Sequence, residues 1–168
     1  MKPLIRQETP ADILAIHALT KAAFLNAPHT AHTEHFIVDA LRAAKALTAS
    51  LVADDNGTVV GHVAISPVSI PDNTQGWYGL GPVSVSPALQ RQGIGSRLMA
   101  GVLQQMKSMG AAGCVLVGDP AFYARFGFVP ATSLILPGIP PQYFLAIAFT
   151  QPLPQGIVTF HEAFTAQG

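Results

Sequence analysis

One cysteine in 168 residues, charge on only 11% of them and no long apolar run are the first scarcities of this chain. The single thiol, Cys114, excludes an internal disulfide framework and a thiolate-only zinc site. It stands in Gly113-Cys114-Val115-Leu116-Val117, a run that reads as a buried strand, so the expectation is an inert core thiol. Nine basic and nine acidic side chains cancel, which leaves no global field to draw in nucleic acid or an anionic membrane; any phosphate site must be local. The longest unbroken apolar stretch, Tyr143 to Phe149, is far short of the roughly 20 residues that cross a bilayer. The amino terminus lacks a basic-then-apolar leader pattern, so the expected location is cytoplasmic. Thin charge beside 49% hydrophobic residues leaves room for an apolar groove or a homodimer interface.

What is present reads as one mixed α/β domain over residues 1–168. Pro3 to Gln7 suits a first strand, and Thr9-Pro10-Ala11-Asp12 suits a helix start, with a capping threonine, a first-turn proline and an acid at the positive end of the dipole. Ile13, Ile16, Thr20 and Phe24 then recur at helical spacing, with Leu19 and Ala23 beside them, until Asn26 and Pro28. A second helix over Thr33 to Lys45 carries the stripe Ile37, Ala40, Leu41 and Ala44. Ser50 to Asp54 and Val59 to Pro67 flank an Asn56-Gly57 turn and predict a hairpin. A strand over Trp77 to Ser86 precedes a long helix from Gly93 to Met109, with Ile94, Leu98, Val102, Leu103 and Met106 inward. The Cys114 strand, a short helix opened by Asp119-Pro120 and a last strand near Phe144 to Phe149 complete the order.

The most informative stretch joins the Trp77 strand to the long helix through Gln90-Arg91-Gln92-Gly93-Ile94-Gly95-Ser96-Arg97. A glycine-bearing turn before a helix makes an anion site, because the first amides of the helix have no intrahelical partner and point outward with the positive dipole end. Arg91 and Ser96 add side-chain contacts. A dinucleotide fingerprint fails, since Leu98 stands where its third glycine belongs, and no Gly-Lys-Ser or Gly-Lys-Thr supplies a Walker loop.

Gln90-Arg91-Gln92-Gly93-Ile94-Gly95 resembles the Gln/Arg-x-x-Gly-x-Gly/Ala signature of GNAT acetyltransferases, which cradles the pyrophosphate of coenzyme A in that superfamily. Gly81 to Pro87 looks like the family's splayed central strand, and Ala121-Phe122-Tyr123-Ala124-Arg125-Phe126-Gly127-Phe128 like its second signature. Gly118 to Ala131 further resembles the YhbS-like branch of predicted bacterial acetyltransferases. The resemblance covers about residues 3–150 and implies a mostly antiparallel mixed sheet flanked by helices. It also implies acetyl-CoA as co-substrate, held by Val83, Ser84 and Val85 on the strand, by Arg91, Gln92, Gly93, Ile94, Gly95, Ser96 and Arg97 on the turn, and by Tyr123.

Acetyl transfer to an amine needs a polarised carbonyl, a neutral amine and a proton for the departing thiolate. The family's backbone donor falls at or near Val83, and its acid at Tyr123, a phenol that is protonated at pH 7. Neutralising a lysine-like amine at pH 7 costs roughly 4–5 kcal/mol, so a base or a water chain is useful. Trp77-Tyr78-Gly79-Leu80-Gly81 lacks the central-strand glutamate that many members carry. Glu34 is the candidate instead: it precedes Ile37 by three residues and Leu41 by seven, on the stripe's own face at the open end of its helix. A capping role for Asp119 is expected. His29, His32, Glu34 and His35 lack His-Glu-x-x-His spacing and read as a polar substrate loop, with no metal expected. The competing reading is a catalytically weak acyl-CoA-binding sensor, and a third is a longer acyl donor such as succinyl-CoA.

Overall fold

The computed structural model describes residues 2–28, 30–150 and 152–168. Strand β1 (Leu4–Gln7) leads through a 3-10 turn into helix α1 (Ile13–Phe24), and helix α2 (Glu34–Ala43) follows. Strands β2 (Ala49–Asp55), β3 (Thr58–Ser69) and β4 (Trp77–Val85) precede helix α3 (Ile94–Ser108). Strand β5 (Gly113–Val117), the short α4 (Pro120–Tyr123), β6 (Val129–Pro130), β7 (Leu134–Ile135), β8 (Phe144–Ala148), β9 (Gly156–Ile157) and β10 (Thr159–Phe160) complete the chain. The main sheet runs β1-β2-β3-β4-β5-β8-β6, and β10 pairs with the end of β3. Every neighbouring pair in it is antiparallel except β4 with β5.

The first turn is built as its residues suggest. Asp12 accepts the Thr9 amide at 2.7 Å and the Arg6 guanidinium at 2.8 and 3.0 Å, while Arg6 also reaches Asp54. Hydrogen bonds from Arg6 hold Asp12 well below the usual carboxylate range. Ile16, Leu19 and Thr20 form the buried side of α1, with Ile13, Ala23 and Phe24 half-buried. The inner face of α2 differs from the expected stripe: His35 and Val38 are buried with Ile37 and Leu41, Ala40 is half-buried, and Ala44 is exposed because the helix has ended.

Side chains alternate across the sheet, so Leu51, Val63 and Ile65 face α3, while Val52 joins Ile16 and Val38 on the opposite layer. Six buried residues of α3 cover the first face: Ile94, Leu98, Met99, Val102, Leu103 and Met106. The helix lies so close to β3 that a Cβ on Gly61 would stand 2.9 Å from Leu98 Cδ1. Such a clash requires one side to move. Cys114 is fully buried in this core, and burial pushes its thiol pKa well above the ordinary value, which suits an inert core residue. The three short strands β7, β9 and β10 lie in a proline-punctuated tail that shows no period-2 pattern long enough to signal them.

Candidate active site

Strands β4 and β5 pair only from Trp77↔Gly113 to Gly79↔Val115, and beyond that point they diverge. On its other edge β4 stays paired with β3, with Gly81 and Pro82 bulging opposite the single residue Ala64. The Ser86 amide donates to the Val60 carbonyl at 2.9 Å. In an antiparallel ladder every second residue points its amide at the partner, so Ser84 turns toward β3 while Val83 and Val85 present theirs to the side that β5 has left. The Val85 carbonyl on that open side accepts from Gln90 Nε2 at 3.2 Å.

A cleft of about 570 Å³ fills the opening. Val83 and Val85 form one wall, Gln90, Arg91, Gly93, Ile94, Gly95 and Ser96 another, and Phe122, Tyr123 and Arg125 the third. Gly93 caps α3 with φ +87°, which turns the chain sharply into the helix and leaves its first amides facing the cleft. Arg91 also has positive φ, +64°. Neither Arg91 nor Arg125 has an ion-pair partner among the described residues. Two unpaired guanidiniums beside a helix N-terminus suit a phosphorylated ligand.

Eight of the expected cofactor contacts therefore meet: Val83, Val85, Arg91, Gly93, Ile94, Gly95, Ser96 and Tyr123 line one cleft. The side chains of Ser84, Gln92 and Arg97 do not line it. Ser84 is buried beneath the other face of the sheet, Gln92 is exposed, and Arg97 donates instead to the Pro3 carbonyl. Helical spacing accounts for Arg97, which lies one turn past the helix start and points toward β1. The sequence reading left out Phe122 and Arg125; their i, i+3 separation placed them on one side of the turn, where the Arg125 guanidinium stacks 4.8 Å from the Phe122 ring.

Tyr123 lies over Gly118: a Cβ there would come within 2.4 Å of its ring. Burial raises the Tyr123 pKa and the charge of Asp119 raises it further, so the phenol keeps its proton at neutral pH. Asp119 itself caps α4, accepting the Ala121 amide at 2.9 Å.

A second cavity of about 410 Å³ borders the same strand, where Leu80, Gly81 and Pro82 meet Glu34 and Ile37 of α2, Phe24 of α1 and Val117 at the end of β5. Glu34 Oε2 accepts the Thr30 hydroxyl, while Oε1 is buried without a hydrogen-bond partner among the described residues. The neighbouring histidines scatter. His32 Nδ1 lies 2.9 Å from the Phe24 carbonyl, His35 packs edge-on against His17, and His29 is outside the described residues. Among the described residues no three His, Cys, Asp or Glu side chains gather as a metal site would require.

His62, which no sequence motif singles out, is fully buried, and its Nε2 lies 2.7 Å from Ser50 Oγ. Ser50 and Arg42 both donate to Glu8. A hydroxyl has one proton, so with Ser50 donating to Glu8, the Nε2–H of His62 donates to Ser50. Only its position on an inward face of β3 could have signalled it.

A family model described as an acetyltransferase (GNAT) domain matches residues 4–131. The uncharacterized N-acetyltransferase YhbS of Escherichia coli strain K12 is 39% identical over 126 residues, 74% of this chain and 72% of that protein. A GNAT family acetyltransferase from Brucella melitensis, solved in complex with acetyl-CoA, superposes with a TM-score of 0.86 at 50% identity, covering 96% of this chain and 97% of that one. The crystal structure of Escherichia coli YhbS in complex with CoA superposes with a TM-score of 0.89 at 34% identity, covering 100% of this chain and 94% of that one. No described helix is long and apolar enough to cross a membrane.

Proposed function

Because the chain belongs to the GNAT acetyltransferase family and is an acyltransferase, we propose that it moves the acetyl group of acetyl-CoA directly to a primary amine. The observation that carries this reading is one cleft that joins the open edge of β4, the α3 N-terminus and Tyr123. Acetyl-CoA is the co-substrate in this reading, supported by the acetyl-CoA and CoA complexes of the two similar structures. The α3 amides with Arg91 and Arg125 take the pyrophosphate, and Val83 and Val85 border the pantetheine arm. Gln92 contributes through backbone only, Ser84 is spent on the β3 ladder, and Arg97 braces α3 against Pro3.

The chemistry follows from the residues. The outward amide at Val83 donates to the thioester oxygen and stabilises the charge that builds there as the amine nitrogen attacks the carbonyl carbon. Glu34 binds the incoming ammonium and takes its proton, directly or through water, so that the lone pair is free. As the C–S bond breaks, the Tyr123 hydroxyl gives its proton to the thiolate; the second proton that the nitrogen sheds as the amide forms returns through water to the Tyr123 phenolate, and Glu34 releases the first to solvent. The raised Tyr123 pKa keeps that proton available. The protein works as one domain in the cytoplasm, and its sparse surface charge is consistent with a homodimer.

Tyr123→Phe tests the assignment. Thiol release with an amine acceptor should fall by about 10²-fold or more in kcat, in keeping with loss of a general acid, while the acetyl-CoA Kd stays within about twofold. Unchanged kcat would remove Tyr123 from the proton transfer.

A further inference from the structure

The walls of the second cavity are almost wholly apolar. Phe24, Leu136, Ile139, Phe160 and Phe164 surround it, and among the described residues Glu34 is the only ionisable side chain that lines it. Its volume of about 410 Å³ falls within the roughly 300–1,000 Å³ of small-molecule sites. It opens along Leu80-Gly81-Pro82, immediately before Val83, and at Val117, next to the Gly118 that carries Tyr123. The cavity therefore adjoins the acetyl-transfer point from the side opposite the phosphate turn.

Glu34 presents one satisfied oxygen and one buried oxygen with no donor among the described residues. A buried charged acceptor without a partner is costly, and a ligand N–H placed there removes that cost. No other described residue of the lining can hold charge. A ligand carboxylate would find no lysine or arginine, and a second ammonium would be stranded against aromatic walls. We propose that the acceptor is a hydrophobic monoamine: one primary ammonium on Glu34 and an alkyl or aryl body against Phe24, Phe160 and Phe164. Amino acids, polyamines and aminoglycosides are disfavoured by the same lining. This rests on the amine-acetylating reading above.

The test compares 2-phenylethylamine and hexylamine with phenylalanine, which adds a carboxylate to the same aryl body, and with spermidine, which adds further ammonium groups. Thiol release from acetyl-CoA is followed for the full chain and for Glu34→Gln, and amine binding to the CoA-saturated protein is measured by calorimetry. The expected result is a kcat/KM for the two monoamines at least tenfold above either comparator. Glu34→Gln should raise the monoamine KM at least tenfold and leave the acetyl-CoA KM unchanged, without lowering the melting temperature. Preference for phenylalanine or spermidine would overturn the assignment of this cavity while amine acetylation stood. Saturable 2-phenylethylamine binding that depends on Glu34, with no thiol release, would uphold the cavity assignment and overturn amine acetylation.

Discussion

His62 shows how a single side chain sets a property of the folded state. Burial lowers its pKa to about 4; the charge of Glu8 opposes that and Arg42 adds to it. The folded protein thus keeps His62 neutral, whereas the unfolded chain takes up a proton below about pH 6.5. Between those values the unfolded state binds more protons, so stability is complete above pH 6.5 and falls as pH drops toward 4. The shift corresponds to roughly 3 kcal/mol at its limit. Burial also lowers the pKa of His35, which contributes in the same direction. Burial raises Glu8, but hydrogen bonds from Arg42 and Ser50 outweigh it and the net direction is down, so its loss comes later, below the ordinary carboxylate range. Urea denaturation at pH 7 and pH 5 checks this: His62→Gln should flatten the decline between them, and an unaltered slope would contradict a neutral buried His62.

At the scale of elements, α3 performs two tasks that its sequence states separately. Its i, i+4 apolar stripe buries against β2 and β3, and its first turn, freed by Gly93, faces the cleft. Gly93→Val separates them. A Cβ at Gly93 has open space around it, so the cost is conformational: φ of +87° is strained for a β-branched residue. The expected outcome is a tenfold or greater loss of acetyl-CoA affinity by calorimetry with far-ultraviolet helicity retained. Full affinity would remove the α3 turn from phosphate binding.

The same scale explains what was legible. The hairpin at Asn56-Gly57, the α3 stripe and the Asp119 cap carry strong local signals, and the structure has all three. The turn that lines the cleft was readable because glycine spacing dictates backbone shape. Side-chain direction was harder. Ser84 and Arg97 lie in the signature region, but strand alternation turns one beneath the sheet and helical rotation carries the other to Pro3. The far wall of the Glu34 cavity was invisible because Leu136, Ile139, Phe160 and Phe164 reach it through long-range pairing of short strands, including β10 on β3 and β7 with β9.

For the whole molecule, the topology brings two cavities of different character to one strand. The larger cleft, with its guanidiniums, lies along Val83 and Val85, and the more apolar cavity, with its carboxylate, lies along Leu80 to Pro82. Parting of β4 from β5 lets both reach the same backbone. In the proposed reading a donor on one side and an acceptor on the other meet directly, without a covalent enzyme intermediate, and Cys114 is sealed in the core. The central claim is that the α3 cleft is an acyl-CoA site. Calorimetric titration of the full chain with acetyl-CoA tests it most directly: saturable binding at one site per chain that weakens with added salt, as two guanidiniums on phosphates require, is the predicted result, and absence of binding would contradict it.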